Sequence, residues 1–381
     1  MIISCFSGIG GLEGTAPASL FCEFDPKAQL ILEKRYPTAK IHDDVRTLRP
    51  PKADVVLGGW PCQDISVAGN QVGLIGERSG LFYELLRIAK ESKCQTLIAE
   101  NVVNLLHLAK GDEFASVLRE IREAGFEYIS WRVLNVRDFG IPHQRRRLFI
   151  VASKDKNAAA SLHRHIPERG LTDPTPEVAG FYWTAGLQSI CYSEGFSPTL
   201  KVGSSLSIPS PPAVHFEKSH EVRSLTSGEC LRLQGFNPVD FLEVSRADRY
   251  RMAGNAVATP VGRFVVDGVV NGLGDVSELD FFEQTSLDFS TNLKPPPKSK
   301  SATGSGWWKS AVLFGSSPAF VNNCDSTGLA LAQNLLSFLD ASDEEVKPLS
   351  TRAARGLLSR LDSSGNKCPA GLYTDLRNLA A

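Results

Sequence analysis

The chain has 381 residues, of which 42% are hydrophobic and 22% charged, and a formal net charge of -1. That length accommodates one large domain plus a smaller one or an extension, and the balanced charge excludes a globally basic nucleic-acid binder, so any basic surface must be local. Without a basic leader, a run of about twenty apolar residues or a CxxC pair among its eight cysteines, the chain reads as cytoplasmic, with neither membrane span, zinc site nor disulfide scaffold.

The first 154 residues alternate between strand-like and helix-like patterns. "MIISCF", "ASLFCEFD", "AKIHDDV", "ADVVLGG", "TLIAENV", "YISWRVLNV" and "RRLFIVAS" are apolar runs of strand length. Between them, "PKAQLILEKRYP", "SGLFYELLRIAKESK" and "EFASVLREIREAGF" place apolar residues three and four apart. This alternation predicts an α/β fold, a mostly parallel sheet with helices on both faces. Ligands then bind at the carboxyl ends of the strands. From 155 to 222 the pattern dissolves into Pro-, Ser-, Gly- and Thr-rich sequence, which predicts a small irregular domain. Regularity returns in "SLTSGECLRLQGF" and in the amphipathic helix "TPVGRFVVDGVVNGL". The predicted domains are 1–154, completed by 250–274; 155–249; a Pro- and Ser-rich linker over 275–306; and a helical extension over 307–381.

Chemistry-bearing residues cluster at the predicted strand ends. "CFSGIGGLEG" ends the first strand in glycines that admit a ligand close to the backbone or simply serve a tight turn. Glu23 and Asp25 end the second strand, where a carboxylate can accept both hydroxyls of a ribose. Asp44 ends the third and could meet an adenine amino group. Cys62 follows "DVVLGGWP" directly. A lone cysteine is usually a small buried hydrophobe, but here Pro61 fixes the backbone before it and a glycine-rich stretch suited to a lid follows it. A thiolate so placed could add to an electron-poor ring. Glu100 lies in an apolar run, where burial would raise its pKa and suit it to donate a proton. Its neighbour Asn101 could equally be a helix N-cap. "HQRRRLF" places Arg145 and Arg147 on one strand face, either to hold a phosphate or polarised carbonyl or as a solvated edge.

Taken together and in order, "FSGIGG", "GGWPCQDIS", "AENV", "IPHQRRRLFIVA", "RSLTSGECLRLQGF" and "GNAVATPV" resemble the motifs of the DNA (cytosine-5) methyltransferases. The resemblance implies a Rossmann-like S-adenosylmethionine-dependent methyltransferase fold with a small target-recognition domain, here 155–249. It implies methyl transfer from S-adenosyl-L-methionine to carbon 5 of a cytosine flipped out of double-stranded DNA. By the same resemblance, Cys62, Glu100, Arg145 and Arg147 are catalytic, and Phe6, Gly8, Gly10, Glu23, Asp44, Leu81 and Asn255 bind the cofactor. From the residues alone, Phe6 and Leu81 could as well be core side chains, and Asn255 a turn residue. Gln63, Ser66, Arg78, Arg164, Lys201 and Ser204 are the expected DNA contacts, and no residue is expected to bind metal. The final motif implies a helix packed back against the first strand. His143 stands where the family often has Gln, and the short stretch between Gly11 and Glu23 predicts a stunted first helix. The chain is expected to be a monomer of a prokaryote or phage, associated with the nucleoid and partnered by a cognate restriction endonuclease. The alternatives are a transfer-RNA cytosine methyltransferase, an inactive DNA-binding regulator and a nucleotide-dependent oxidoreductase; the last leaves Pro-Cys and the arginines unexplained.

Overall fold

The computed structural model describes residues 1–15, 18–61, 80–166, 177–182, 190–202, 209–273, 281–283, 310–313, 319–321, 335–342, 344–364 and 368–381. The elements along the first part are β1 (Ile2–Cys5), β2 (Leu20–Cys22), α1 (Pro26–Arg35), β3 (Lys40–His42), β4 (Val55–Gly59), α2 (Gly80–Glu91), β5 (Thr96–Val102), α3 (Asp112–Glu123) and β6 (Tyr128–Asn135). They continue with β7 (His143–Gln144), β8 (Arg146–Ser153), α4 (Lys156–Ala160), β9 (Val178–Phe181), β10 (Ser193–Glu194), β11 (Ser197–Pro198), β12 (Ala213–Phe216), β13 (Glu221–Ser224), α5 (Ser227–Arg232), α6 (Arg246–Asn255) and α7 (Thr259–Val270). Two further helices span Thr351–Ser364 and Ala370–Ala380. Among the described residues, no helix is long and apolar enough to cross a membrane.

The chain divides into two compact units. The first comprises Met1–Leu134, Arg146–Ile166 and Thr259–Gly328. Its sheet runs β3-β2-β1-β4-β5-β8-β6, with Ser310–Leu313 antiparallel to β6 at the edge. β3, β2, β1, β4 and β5 are parallel; β8 is antiparallel to β5. The chain builds outward from β1 to β3, then crosses to β4 on the other side of β1. That reversal opens a crevice at the carboxyl ends of β1 and β4.

Strand alternation sorts the residues between the two faces. Ile3, Cys5 and Cys22 join a core with Phe82, Leu85 and Ile88 of α2 and Phe114, Leu118 and Ile121 of α3. Phe21 points the other way and meets Tyr36, at the end of α1, with ring centroids 4.7 Å apart. α1 starts where Asp25 caps it, accepting from the Lys27 N–H at 3.0 Å, with Pro26 in its first turn. Between β1 and β2 the described residues form turns and no helix, because Gly10 and Gly14 take left-handed φ of 78° and 70°. α7 closes against this turn. A methyl group at Gly262 would collide with the Gly11 carbonyl, and Asp267 accepts from Thr15 N and Oγ1 at 3.1 and 2.6 Å.

The second unit comprises Asn135–Arg145, Pro167–Ala258 and Leu329–Ala381. It is less irregular than the sequence suggests. A four-stranded sheet, β10-β9-β12-β13, is fully antiparallel. Its strands are two to four residues long, and the Pro- and Ser-rich sequence around them breaks up the pattern. The unit boundaries differ from the expected 154 and 249. The expected extension also divides: Thr351–Ser364 and Ala370–Ala380 share a core with Phe181, Ala213 and Val222.

Candidate functional site

At the crevice, β1 ends in a backbone curl. Phe6, Gly8 and Gly10 have φ of 53°, 55° and 78°. The curl turns the Gly8 N–H onto Glu23, whose Oε2 accepts at 2.7 Å, while Oε1 accepts from Asp25 N at 2.8 Å. Burial pushes the Glu23 carboxyl above its ordinary pKa, against the pull of those two backbone donors. A carboxylate offers about four lone-pair positions, so acceptor capacity for a diol remains. Open space surrounds the Gly8 Cα, and Phe24, beside Glu23, is 72% exposed. This corner therefore fits a nucleoside: a rigidly held acceptor, a bare aromatic face and backbone without side-chain obstruction. The sequence signal for Phe24 was an aromatic residue between two acids at a strand end.

The other expected cofactor residues are arranged less uniformly. Asp44 is held by Arg46, with Nε and Nη2 at 3.0 and 2.8 Å, and that pairing lowers its pKa. Phe6 and Leu81 are partly buried against the core of the first unit. Asn255 is exposed at the end of α6 in the second unit.

The Gly-Gly before Trp60 has a steric cause. A Cβ on Gly58 would lie 2.7 Å from the Cys5 carbonyl oxygen, and one on Gly59 would lie 2.7 Å from Glu100 Oε2. Gly59 and Glu100 are register partners across β4 and β5. Trp60 is buried and packs on Phe82 with centroids 5.1 Å apart. Its carbonyl accepts from Asn101 Nδ2 at 3.1 Å, and Asn101 Oδ1 accepts from Val102 N at 2.8 Å. Asn101 is thus no helix cap; it ties the end of β4 to β5, a role sequence reading missed because it depends on register. Cys62, Gln63, Ser66 and Arg78 lie outside the described residues, as does Ser204.

Glu100 pairs with Arg147 across the antiparallel β5 and β8, Oε1 to Nε 3.1 Å, both largely shielded from solvent. Arg145 corrects the expectation of two arginines on one strand face. β8 begins at Arg146, and the Arg145 carbonyl accepts from Val136 N instead. Its buried guanidinium donates to the carbonyls of Leu200, Gly254 and Ala256 at 3.2, 3.0 and 2.8 Å, all within the second unit. Gln234 donates to the Ala253 and Ala256 carbonyls, so both side chains cap the end of α6. His143 is also structural. Its Nδ1 faces the Leu233 carbonyl at 3.0 Å and its Nε2 accepts from Leu200 N at 3.1 Å, which assigns the proton to Nδ1.

Of the expected DNA contacts, Arg164 turns inward. Its guanidinium bonds the carbonyls of Ser161 and Phe264 and stacks on the Phe264 ring at 3.8 Å, and burial lowers its pKa to about 10. The expected contact to DNA is therefore corrected to an anchor for α7. Lys201 is exposed, with its ammonium 3.9 Å from the Tyr182 ring centroid. Gly254 leaves it no latitude, since a Cβ there would lie 2.8 Å from the Lys201 carbonyl.

The family described as C-5 cytosine-specific DNA methylase matches residues 1–185 and 188–271. The chain is 30% identical over 383 residues to type II methyltransferase M2.BsuMI of Bacillus subtilis (strain 168), covering 94% of this chain and 92% of that one. It is 29% identical over 317 residues to type II methyltransferase M.Bsp6I of Bacillus sp. (strain RFL6), covering 71% and 99%. A solved mutant of Spodoptera frugiperda DNMT2 shares the fold, with TM-score 0.51 and 16% identity over 71% of this chain and 99% of that one.

Proposed function

Since the chain belongs to the C-5 cytosine-specific DNA methylase family, it is an enzyme that methylates cytosine carbon 5 in DNA, and we propose that it does so through a covalent adduct of Cys62. Carbon 5 of cytosine is too weak a nucleophile to take a methyl group unaided. Addition of the Cys62 thiolate to carbon 6, with a proton passed to N3 from Glu100, shifts electron density to carbon 5. Carbon 5 then takes the methyl group as the donor's sulfur–methyl bond breaks, a base removes the carbon 5 proton, the carbon 6–sulfur bond breaks to return the thiolate, and N3 gives its proton back to Glu100. A stacked base cannot be reached this way, so the cytosine is flipped out of its duplex.

The observation that carries this reading is the Gly59–Glu100–Arg147 arrangement with its Asn101 tether. Only Pro61 separates Trp60 from Cys62, two steps of chain spanning about 7 Å, so the anchoring of Trp60 supports a thiol that works near Glu100. Arg147 fixes the orientation of the Glu100 carboxyl. Arg145 acts at a remove, by holding backbone rather than substrate.

The methyl donor we assign is S-adenosyl-L-methionine, which when bound supplies an electrophilic methyl group on a sulfonium. Glu23 would hold its ribose, Phe24 would offer a face to its adenine, and Gly8 would admit it to the backbone, with Phe6, Asp44, Leu81 and Asn255 in accessory roles. Gly10, expected to do the same as Gly8, instead admits the Tyr36 ring, 2.7 Å from where its Cβ would lie, and serves the turn. The second unit is the proposed reader of the target sequence, with Lys201 contacting a phosphate; Gln63, Ser66, Arg78 and Ser204 complete the proposed DNA contacts. We further propose a cytoplasmic monomer that protects the sites of a cognate restriction endonuclease, a reading supported by its similarity to type II enzymes.

Bisulfite sequencing of DNA from cells expressing the chain tests the reading. Methylated cytosines in one sequence context are expected, and none with Cys62→Ala, while calorimetry shows the variant still binding S-adenosylmethionine. Full activity of Cys62→Ala, or methylation confined to RNA, would overturn it.

A further inference from the structure

The C-terminal segment, 335–381, lies beyond the part of the chain that matches the family, which ends at residue 271. Its sequence identified helices but not what they touch. In the structure it supplies Leu349, Ala354, Leu357, Leu361, Leu372 and Leu376 to the core beneath the four-stranded sheet. The Leu349 N–H donates to the Val222 carbonyl at 2.8 Å, continuing the hydrogen bonding of β13.

Two carboxylates on this segment hold it to elements of the second unit. Glu345 accepts from Ser227 N and Oγ at 2.8 and 2.9 Å and pairs with Arg246 and Arg249 of α6 at 3.3 and 3.4 Å. Asp375, itself buried, faces His215 of β12 at 2.8 Å and His220, in the β12–β13 turn, at 3.1 Å. His220 has a left-handed φ of 56°, so the turn that carries it is strained unless held. Both carboxylates act on backbone that leads to the proposed DNA contacts. The last turn of α6 holds Gly254, against which Lys201 is packed, and β9 precedes Tyr182, over whose ring the Lys201 ammonium sits.

We propose that the C-terminal segment is the second wall of the DNA-reading unit, and that Glu345 and Asp375 are positioning residues for DNA binding. This rests on the reading that the second unit recognises DNA. Deleting the segment would strip the sheet of its core, so the test uses the full chain with Glu345→Gln and Asp375→Asn. Steady-state methylation is measured against duplex concentration and, separately, against S-adenosylmethionine concentration. The expected result is a KM for DNA raised about tenfold, with kcat and the KM for S-adenosylmethionine within about twofold of wild type. Glu345→Asp, which keeps the charge, should recover part of the loss. An unchanged KM for DNA in both variants, or a loss confined to kcat, would overturn the proposal. Failure of the wild-type chain to methylate DNA would instead sink the reading on which it rests.

Discussion

The two units hold their backbone by different means. In the first, the strand tips are shaped by the absence of side chains: the Cys5 carbonyl leaves no room for a Cβ on Gly58, and a Cβ on Gly59 would displace the Glu100 carboxyl. In the second, buried polar groups do this work. Arg145, His143, Gln234, Arg223, Glu229, His215 and Asp375 are all nearly inaccessible. In the first unit strand register brings Gly59 beside Glu100, and the Asn101–Trp60 bond and the Arg147–Glu100 pair are added to it. The four-stranded sheet of the second unit is smaller and draws more on hydrogen-bonded charge. Such groups stabilise only when every partner is present.

The largest test of that contrast is Arg223→Ala. Arg223 forms a two-pronged pair with Glu229, at 2.9 and 2.7 Å, both residues buried. Removing one partner strands a buried carboxylate, a loss of about 3–5 kcal/mol. Calorimetry should show a thermal transition of the second unit falling sharply while binding of S-adenosylmethionine persists. A steric perturbation comes next. Gly59→Ala pushes a methyl into Glu100 Oε2 and should lower kcat by roughly a hundredfold with little change in the KM for DNA; an unaltered kcat would mean that the glycine pair is not what sets the carboxyl.

Lys201→Ala probes an exposed charge in the polar unit. It should weaken binding to all duplexes alike and lower the slope of log affinity against log salt by about 0.9. A change confined to one target sequence would mean that Lys201 reads a base instead.

The smallest effect sits in the first unit, at one of its buried charged side chains. Glu13 is buried, accepts from Ser4 Oγ at 2.7 Å through Oε1, and has no partner for Oε2 among the described residues. Burial raises its pKa above 4.5, only partly opposed by the Ser4 bond and by Arg35. The folded state therefore binds the proton more tightly than the unfolded chain, and stability falls as pH rises from about 4.5 through the folded pKa. Glu13→Gln should raise Tm at pH 8 and leave it unchanged at pH 4. Equal shifts at both pH values would contradict this.

The same contrast explains what the sequence disclosed. All seven strand-like runs of the first 154 residues contain a strand, and the three helix-like runs contain α1, α2 and α3, because a large apolar core imposes period on every element. Glu23 and Glu100 were legible because strand ends are. Arg145 and Arg164 were not: an arginine bonded to carbonyls distant in sequence reads as a surface charge until the fold brings those carbonyls to it. The tail's leucines announced helices, yet nothing local showed that their partner would be a sheet assembled over 100 residues earlier in the chain. Asn101 fell between these cases, its strand evident and its hydrogen-bond partner hidden in register.

The central claim is best tested by trapping. The chain is incubated with S-adenosylmethionine and duplex DNA carrying 5-fluorocytosine at the methylated position, where fluorine in place of hydrogen on carbon 5 blocks release of the thiolate. The expected result is a denaturation-resistant conjugate whose tryptic peptide maps the modified nucleotide to Cys62. A conjugate at another residue, or methylation of ordinary duplex with no conjugate at all, would contradict it.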